Sequence, residues 1–335
     1  MRATSLASMA ILLSLALTGC GGGDTTPLTI NQFAGNTGNC SGNNLDPNMS
    51  TNSCIPGSSN GDTSNPISTI ITANNYIGLA TKTTGHIDII TSARPNQNTP
   101  IHLSDLLVKI VKKTLMSAST DLCAASPGAF SPGTMINNSR TVTLTNCSAN
   151  GFSVNGDVTI TNLTGDTNNF STDLSFSNLG YKAVDTEVTF ASGNSTLTLS
   201  NANVLTRITL DATSSSLSVT EKVKDQGGLT QTLTDTFNDL VATTTLDNNT
   251  QEHILDIFTA RLDDSTTGQP LNIDINSNQP MHWIVDEANP SQGQLKITSV
   301  AENLGLTLFA FDNAEMNIQL DGVTASPVRT TWLAI

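Results

Sequence analysis

The sequence predicts a mainly β protein: one large antiparallel meander sheet, curled, half-barrel or sandwich-like, with one N-terminal amphipathic helix. Three observations carry that expectation. From Thr141 onward, apolar and polar residues alternate with a period of two. Polar turn clusters separate the alternating runs at near-regular spacing. Only one stretch, about residues 100–117, repeats its apolar residues at helical spacing. Together they imply roughly ten to fourteen short strands in antiparallel order.

Residues 1–19 read as a secretory signal, with Arg2 as the positive end, Met9 to Leu17 as the apolar core and small residues before Cys20. That core is too short to span a bilayer as a mature helix. Residues 20–66 are almost wholly Gly, Asn, Ser, Thr and Pro. A segment with so little to bury reads as a flexible tether, its ends roughly 35–40 Å apart as a random coil. Residues 67–335 are expected to form a single β-rich domain. Within it, 67–98 is apolar enough to pack but has no clean period, so a short helix and lead-in strands both fit.

The predicted helix over about 100–117 takes Thr99 as its cap and Pro100 as its first residue, with Asp105 near the positive end of the dipole. Leu103, Leu106, Leu107, Ile110, Val111 and Leu115 form its apolar stripe. Lys109, Lys112 and Lys113 lie mostly off that stripe, which suits a helix covering one face of a sheet. Downstream, Val142 and Leu144 alternate with Thr141, Thr143 and Thr145. Val204, Ile208 and Leu210 are expected on one face, as are Leu271, Ile273 and Ile275, and Leu304, Leu306, Leu308 and Ala310. Leu233, Phe237 and Val241 share a face with Asp235 and Asp239, while Thr230, Thr232, Thr234 and Thr236 line the other. A flat threonine array can order water, but threonine is also the polar residue best fitted to a solvent-facing pleat, and that is the reading taken. Turns are predicted at Ser192-Gly193-Asn194, 226–228, 247–249, 263–268, 276–278 and 289–293.

The ending Leu17-Thr18-Gly19-Cys20 resembles the lipobox of bacterial lipoproteins. That resemblance implies cleavage before Cys20 and a diacylglyceryl group on its sulfur. Further stretches (Cys123 to Cys147, Asn155-Gly156-Asp157, Gln294 to Thr298 and Thr330-Thr331-Trp332) look like a loose group of uncharacterised β-rich lipoproteins of Gram-negative bacteria. Gly21, where an Asp would signal inner-membrane retention, implies the outer membrane. The segment Gln319 to Val323 departs from the acidic loop some of that group carry.

Composition excludes several classes. The chain has 14 Lys and Arg against 28 Asp and Glu, a formal charge of −14. No basic face exists for counterion release from nucleic acid. Beyond residue 20, Cys40, Cys54, Cys123 and Cys147 are an even set suited to an oxidising compartment. Sequence-local pairs, Cys40–Cys54 and Cys123–Cys147, are favoured among three connectivities, each worth roughly 3–3.5 kcal/mol in the chain-entropy picture.

No catalytic constellation is legible, and no cofactor or metal is expected. Gly57-Ser58-Ser59-Asn60-Gly61 has the hydrolase-elbow pattern but lacks the strand and helix that would strain its serine outward. His86, His102, His253 and His282 never reach metal-ligand spacing and read as solvated or singly satisfied. Asp263-Asp264 and Asp286-Glu287 fall in turns, and sequence neighbours on a strand point to opposite faces. A calcium clip from Asp166, Asn168 and Asp173 has no specific spacing behind it. The expectation is therefore a non-enzymatic, outer-membrane-anchored lipoprotein that faces the periplasm or the cell surface and presents a binding or structural surface to an envelope or extracellular partner. The alternative is a lipid or acyl-chain carrier, its pocket lined by Leu103, Leu107, Ile110, Phe237, Phe258 and Leu308.

Overall fold

Alternation of apolar and polar residues becomes one antiparallel sheet of 14 strands in the computed structural model. The structure describes residues 71–72, 75–91, 101–116, 122–123, 128–149, 152–182, 186–224, 230–265, 268–276, 278–284, 287, 289–302, 304–321 and 328–332. The signal, the tether, Cys20, Cys40 and Cys54 lie outside them. Among the described residues, two helices, α1 (Tyr76–Ile90) and α2 (Leu103–Met116), precede the strands. After the short β1 (Ala129–Pro132) come the longer strands: β2 (Ser139–Ala149), β3 (Phe152–Gly165), β4 (Phe170–Lys182), β5 (Thr186–Ala202), β6 (Leu205–Lys224), β7 (Thr230–Asp247) and β8 (His253–Asp263). Short ones follow: β9 (Pro270–Ile275), β10 (Met281–Trp283), β11 (Gln294–Ser299), β12 (Gly305–Ala310), β13 (Glu315–Leu320) and β14 (Val328–Thr331).

The order is a meander with one irregularity. Both β9 and β10 pair with β8, Ile275 opposite Phe258 and Met281 opposite Leu255. They are two pieces of one interrupted line, parted by an excursion at 276–280. The terminal strands β1 and β14 are short, and β1 ends in Pro132, which suits edges that must not recruit further strands.

Residues 76–90, which the sequence left open between helix and strands, form α1. Thr91 ends it in extended conformation, donating its N–H and its hydroxyl to the Ile87 carbonyl. α2 starts later than expected. His102 holds the capping position, its carbonyl accepting the Leu106 N–H at 3.0 Å, while Thr99 and Pro100 lie outside the described residues. The His102 ring is meanwhile bonded to the Asp88 carbonyl, tying the start of α2 to α1. The expected stripe of α2 is buried at Leu103, Leu106, Leu107, Ile110 and Val111, and the helix lies over β5 and β6.

The long strands are kinked where Asn or Asp takes a left-handed backbone. Asn146 (φ 47°), Asn162 (φ 53°), Asn178 (φ 51°) and Asp239 (φ 54°) each coincide with a register shift. Short polar side chains tolerate this conformation, and each bulge bends its strand. Each also reverses the alternation. Asp239 and Val241 were expected to face inward with Phe237, but past the bulge Leu240 is buried, Val241 is half-buried and Asp239 is exposed. The turn expected at Ser192-Gly193-Asn194 is likewise an irregularity inside β5, matched by one in β6 between Ala212 and Ser216. Val204, expected on an apolar face, stands exposed in the turn between β5 and β6.

Cys123 and Cys147 are bonded, with Cα atoms 4.5 Å apart, and the Cys123 N–H donates to the Ser148 carbonyl. The bridge fastens the segment after α2 to β2, a cross-link worth about 3.5 kcal/mol through the unfolded state. Apolar residues of both helices and nearly every strand form one continuous core on the sheet's inner face.

Candidate functional site

Three acids face inward at one end of the sheet. Glu221 on β6 stands opposite Leu233, and Asp235 on β7 stands opposite Val219, both in otherwise apolar rows. Asp264 follows β8 directly, buried while its neighbour Asp263 is exposed. The groups that meet them come from α1, where the Lys82 ammonium and the His86 imidazole lie four residues apart and so share a helix face. Lys82 Nζ is 3.0 Å from Asp235 Oδ2 and 2.9 Å from Asp264 Oδ2. His86 Nε2 is 2.7 Å from Asp235 Oδ2, and its Nδ1 is 3.5 Å from Glu221 Oε1. The Ser265 backbone N–H donates to Asp235 Oδ1 at 2.7 Å, so Asp235 receives bonds from three residues.

The cluster is closed to solvent, with side-chain exposure of 12 % at Lys82 and 2 % at Asp235. Burial lowers the His86 pKa below its ordinary value, because a charged imidazole would lose its hydration; Glu221 and Asp235 oppose that effect. Burial, with Glu221 nearby, pushes the Tyr181 phenol up. The Phe237 ring packs against His86 at 5.4 Å between centroids and meets Phe258 edge to face at 6.4 Å. This arrangement holds a helix to a sheet. With its polar atoms facing one another and apolar rings around them, it offers a substrate no open approach.

His86 is therefore neither solvated nor singly satisfied, as its sequence context suggested. The usable signal was Asp235 itself, an acid in the inward register between Leu233 and Phe237, which requires a buried cation. Its partners, 149 and 153 residues away, could not be named from spacing.

The six residues expected to line an acyl pocket, Leu103, Leu107, Ile110, Phe237, Phe258 and Leu308, are each 0 % exposed and belong to the continuous core. Asp166 accepts the N–H groups of Asn168 and Asn169, which hold its carboxyl below the usual range, and Asp173 bonds Asn162 and Thr196. Each of these acids serves its local turn or ladder. Among the described residues no group of three or more His, Cys, Asp or Glu side chains is placed to hold a metal. No described helix is long and apolar enough to cross a membrane.

Among the described residues, the outer face carries hydroxyl pairs, and clefts open at two places on it. Thr141–Thr159, Thr209–Thr243, Ser218–Thr236 and Thr220–Thr234 bond across neighbouring strands at 2.9–3.1 Å. One cleft, about 490 Å³, lies over β3 to β6 between Asn155, Lys182, Glu187 and Lys222. There Lys222 donates to Glu187 at 2.8 Å and holds its carboxyl below the usual range. The other cleft, about 440 Å³, lies beside β10, β11 and β12 and is lined by Asn278, Gln279, His282, Gln292, Gln294 and Phe309. Glu252 Oε1 stands 2.6 Å from His282 Nδ1 and orients that ring. Compared with known proteins, the chain matches no family model, no curated protein and no solved structure.

Proposed function

We propose that the chain is a lipid-anchored protein of the Gram-negative envelope whose sheet presents its outer face as a binding or structural surface. Cys20 carries the anchor, and the 20–66 tether holds the domain away from the bilayer. The observation that carries the display reading is the division of the sheet. Its inner face is filled by one continuous core, whereas hydroxyls, amides and two polar clefts occupy its outer face. A carrier needs a void where Leu103, Leu107, Ile110, Phe237, Phe258 and Leu308 stand, and these side chains pack that space. The resemblance of Leu17 to Cys20 to a lipobox and the Gly at position 21 support outer-membrane placement.

The test is metabolic labelling of the full chain with an alkyne fatty acid in a Gram-negative host, followed by membrane fractionation. Wild type takes the label and sediments with outer membranes. Cys20→Ser loses the label and enters the soluble fraction. A Cys20→Ser chain that still sediments with membranes overturns the anchor.

A further inference from the structure

We propose that the cleft beside β10, β11 and β12 binds a neutral, hydroxyl-rich ligand of the oligosaccharide class. The inference rests on reading the outer face as a binding surface and names the ligand chemistry of one part of it.

Strand register builds the site. His282 bridges to Gln292, and Gln294 stands directly opposite Phe309, while the flanking Met281, Trp283, Leu295 and Leu308 are buried. The polar side chains and the Phe309 ring therefore share the outer face. Gly293 allows the close approach that aligns Gln292 with Gln294. Its φ is +108°, and a Cβ there would stand 2.2 Å from the Pro280 carbonyl oxygen.

The lining selects the ligand by elimination. Among the described residues, no Asp, Glu, Lys or Arg lines the cleft. The one titratable group in that described lining, His282, is already met by Glu252, so neither an anion nor a cation finds a free opposite charge there. A purely apolar ligand would strip water from several amides without replacing their hydrogen bonds. What remains is a neutral molecule that both donates and accepts.

Three carboxamides suit that task, since each offers a carbonyl acceptor and two N–H donors, the complement of adjacent hydroxyls. Among the described residues, the side-chain amides of Gln279, Gln292 and Gln294 make no hydrogen bond within the protein. Elsewhere on this face the polar groups satisfy one another, as in Thr141–Thr159 and Thr220–Thr234. With Nδ1 committed to Glu252, His282 keeps Nε2 as a second polar atom in a fixed orientation. Phe309 adds an apolar patch for the C–H face of a sugar ring. The volume of about 440 Å³ falls within the range of small-molecule sites. The charged cleft over β3 to β6 lacks this character, because its Lys222–Glu187 pair is already made.

Calorimetric titration of the full chain, in a zwitterionic detergent without sugar, tests the proposal. The probes are maltohexaose, cellohexaose and chitohexaose, with hexagalacturonate as the charged control. At least one neutral probe binds with Kd below about 1 mM, and the charged one does not. Gln292→Glu, which keeps shape and adds charge, and Phe309→Ala each weaken binding at least about tenfold. Lys222→Ala in the other cleft leaves it unchanged, and thermal melts confirm that all variants fold. Absence of binding by every neutral probe overturns the proposal, as does binding that survives Gln292→Glu and Phe309→Ala. Either result, with Cys20-dependent fractionation intact, removes the ligand assignment alone. A chain that binds sugar but ignores Cys20 removes the anchor and leaves the cleft.

Discussion

Of the two helices on the inner face, α2 buries Leu103, Leu106, Leu107, Ile110 and Val111, a stripe of hydrocarbon. α1 buries Thr83, Thr84, His86 and Asp88 beside its isoleucines and sends Lys82 between two carboxylates. Both cover the same sheet. A helix held by hydrocarbon tolerates small displacements, because dispersion and the hydrophobic effect have little direction. One held by paired charges has a single good position. Removing either partner leaves a charge stranded in a medium that cannot hydrate it. α2 thus supplies adhesion and α1 supplies register.

Lys82 separates the two helices most sharply. Lys82→Met leaves Asp235 and Asp264 without their cation and is expected to cost about 3–5 kcal/mol in urea unfolding. Replacing Lys82, His86, Glu221, Asp235 and Asp264 together by apolar residues of similar volume should recover much of that loss. If the quintuple variant is no more stable than Lys82→Met, the cluster contributes binding energy and not only position.

Leu107→Ala on α2 should cost about 2–4 kcal/mol through lost burial and a cavity, without dependence on pH. A pH-dependent loss there would erase the distinction between the helices.

The next effect is smaller and belongs to α1 alone. Burial lowers the His86 pKa, so the unfolded chain takes up a proton at a higher pH than the folded one. The stability this contributes is complete above the unfolded value, about 6.5, and is lost as pH falls through the folded value. The slope should reach at most about 1.4 kcal/mol per pH unit, one proton's worth. The groups facing the ring are Glu221, Asp235, Asp264 and Lys82. His86→Phe should flatten the slope below about pH 6.5. An unchanged profile would place the titration elsewhere.

Smallest of all, Thr220→Val on the outer face removes one exposed hydroxyl pair and should shift stability by less than about 0.5 kcal/mol.

The same contrast explains what the sequence could reveal. α2 is legible because its apolar residues recur at helical spacing, although it begins only at Leu103, after a His102 whose ring is bonded to α1. α1 is not legible, because Thr81, Lys82, Thr83, Thr84 and His86 interrupt the apolar stripe that would have marked it. Strand alternation is readable up to each bulge and then reverses. Asn162, Asn178 and Asp239 look like ordinary surface residues until the backbone places them at positive φ. The glutamine cleft was invisible for a different reason. Gln279, Gln292 and Gln294 meet only through pairing around an interrupted strand, and no motif joins them.

The bond from Lys82 to Asp235 spans 153 residues, which makes it an appointment kept late in synthesis. At roughly 5–20 residues per second, α1 leaves the ribosome about 8–30 s before its carboxylate partner exists. Through that interval its lysine, histidine and threonines keep it wetted, so that it offers passing chains less bare hydrocarbon than α2 does. The side chains that later fix its register first delay its commitment.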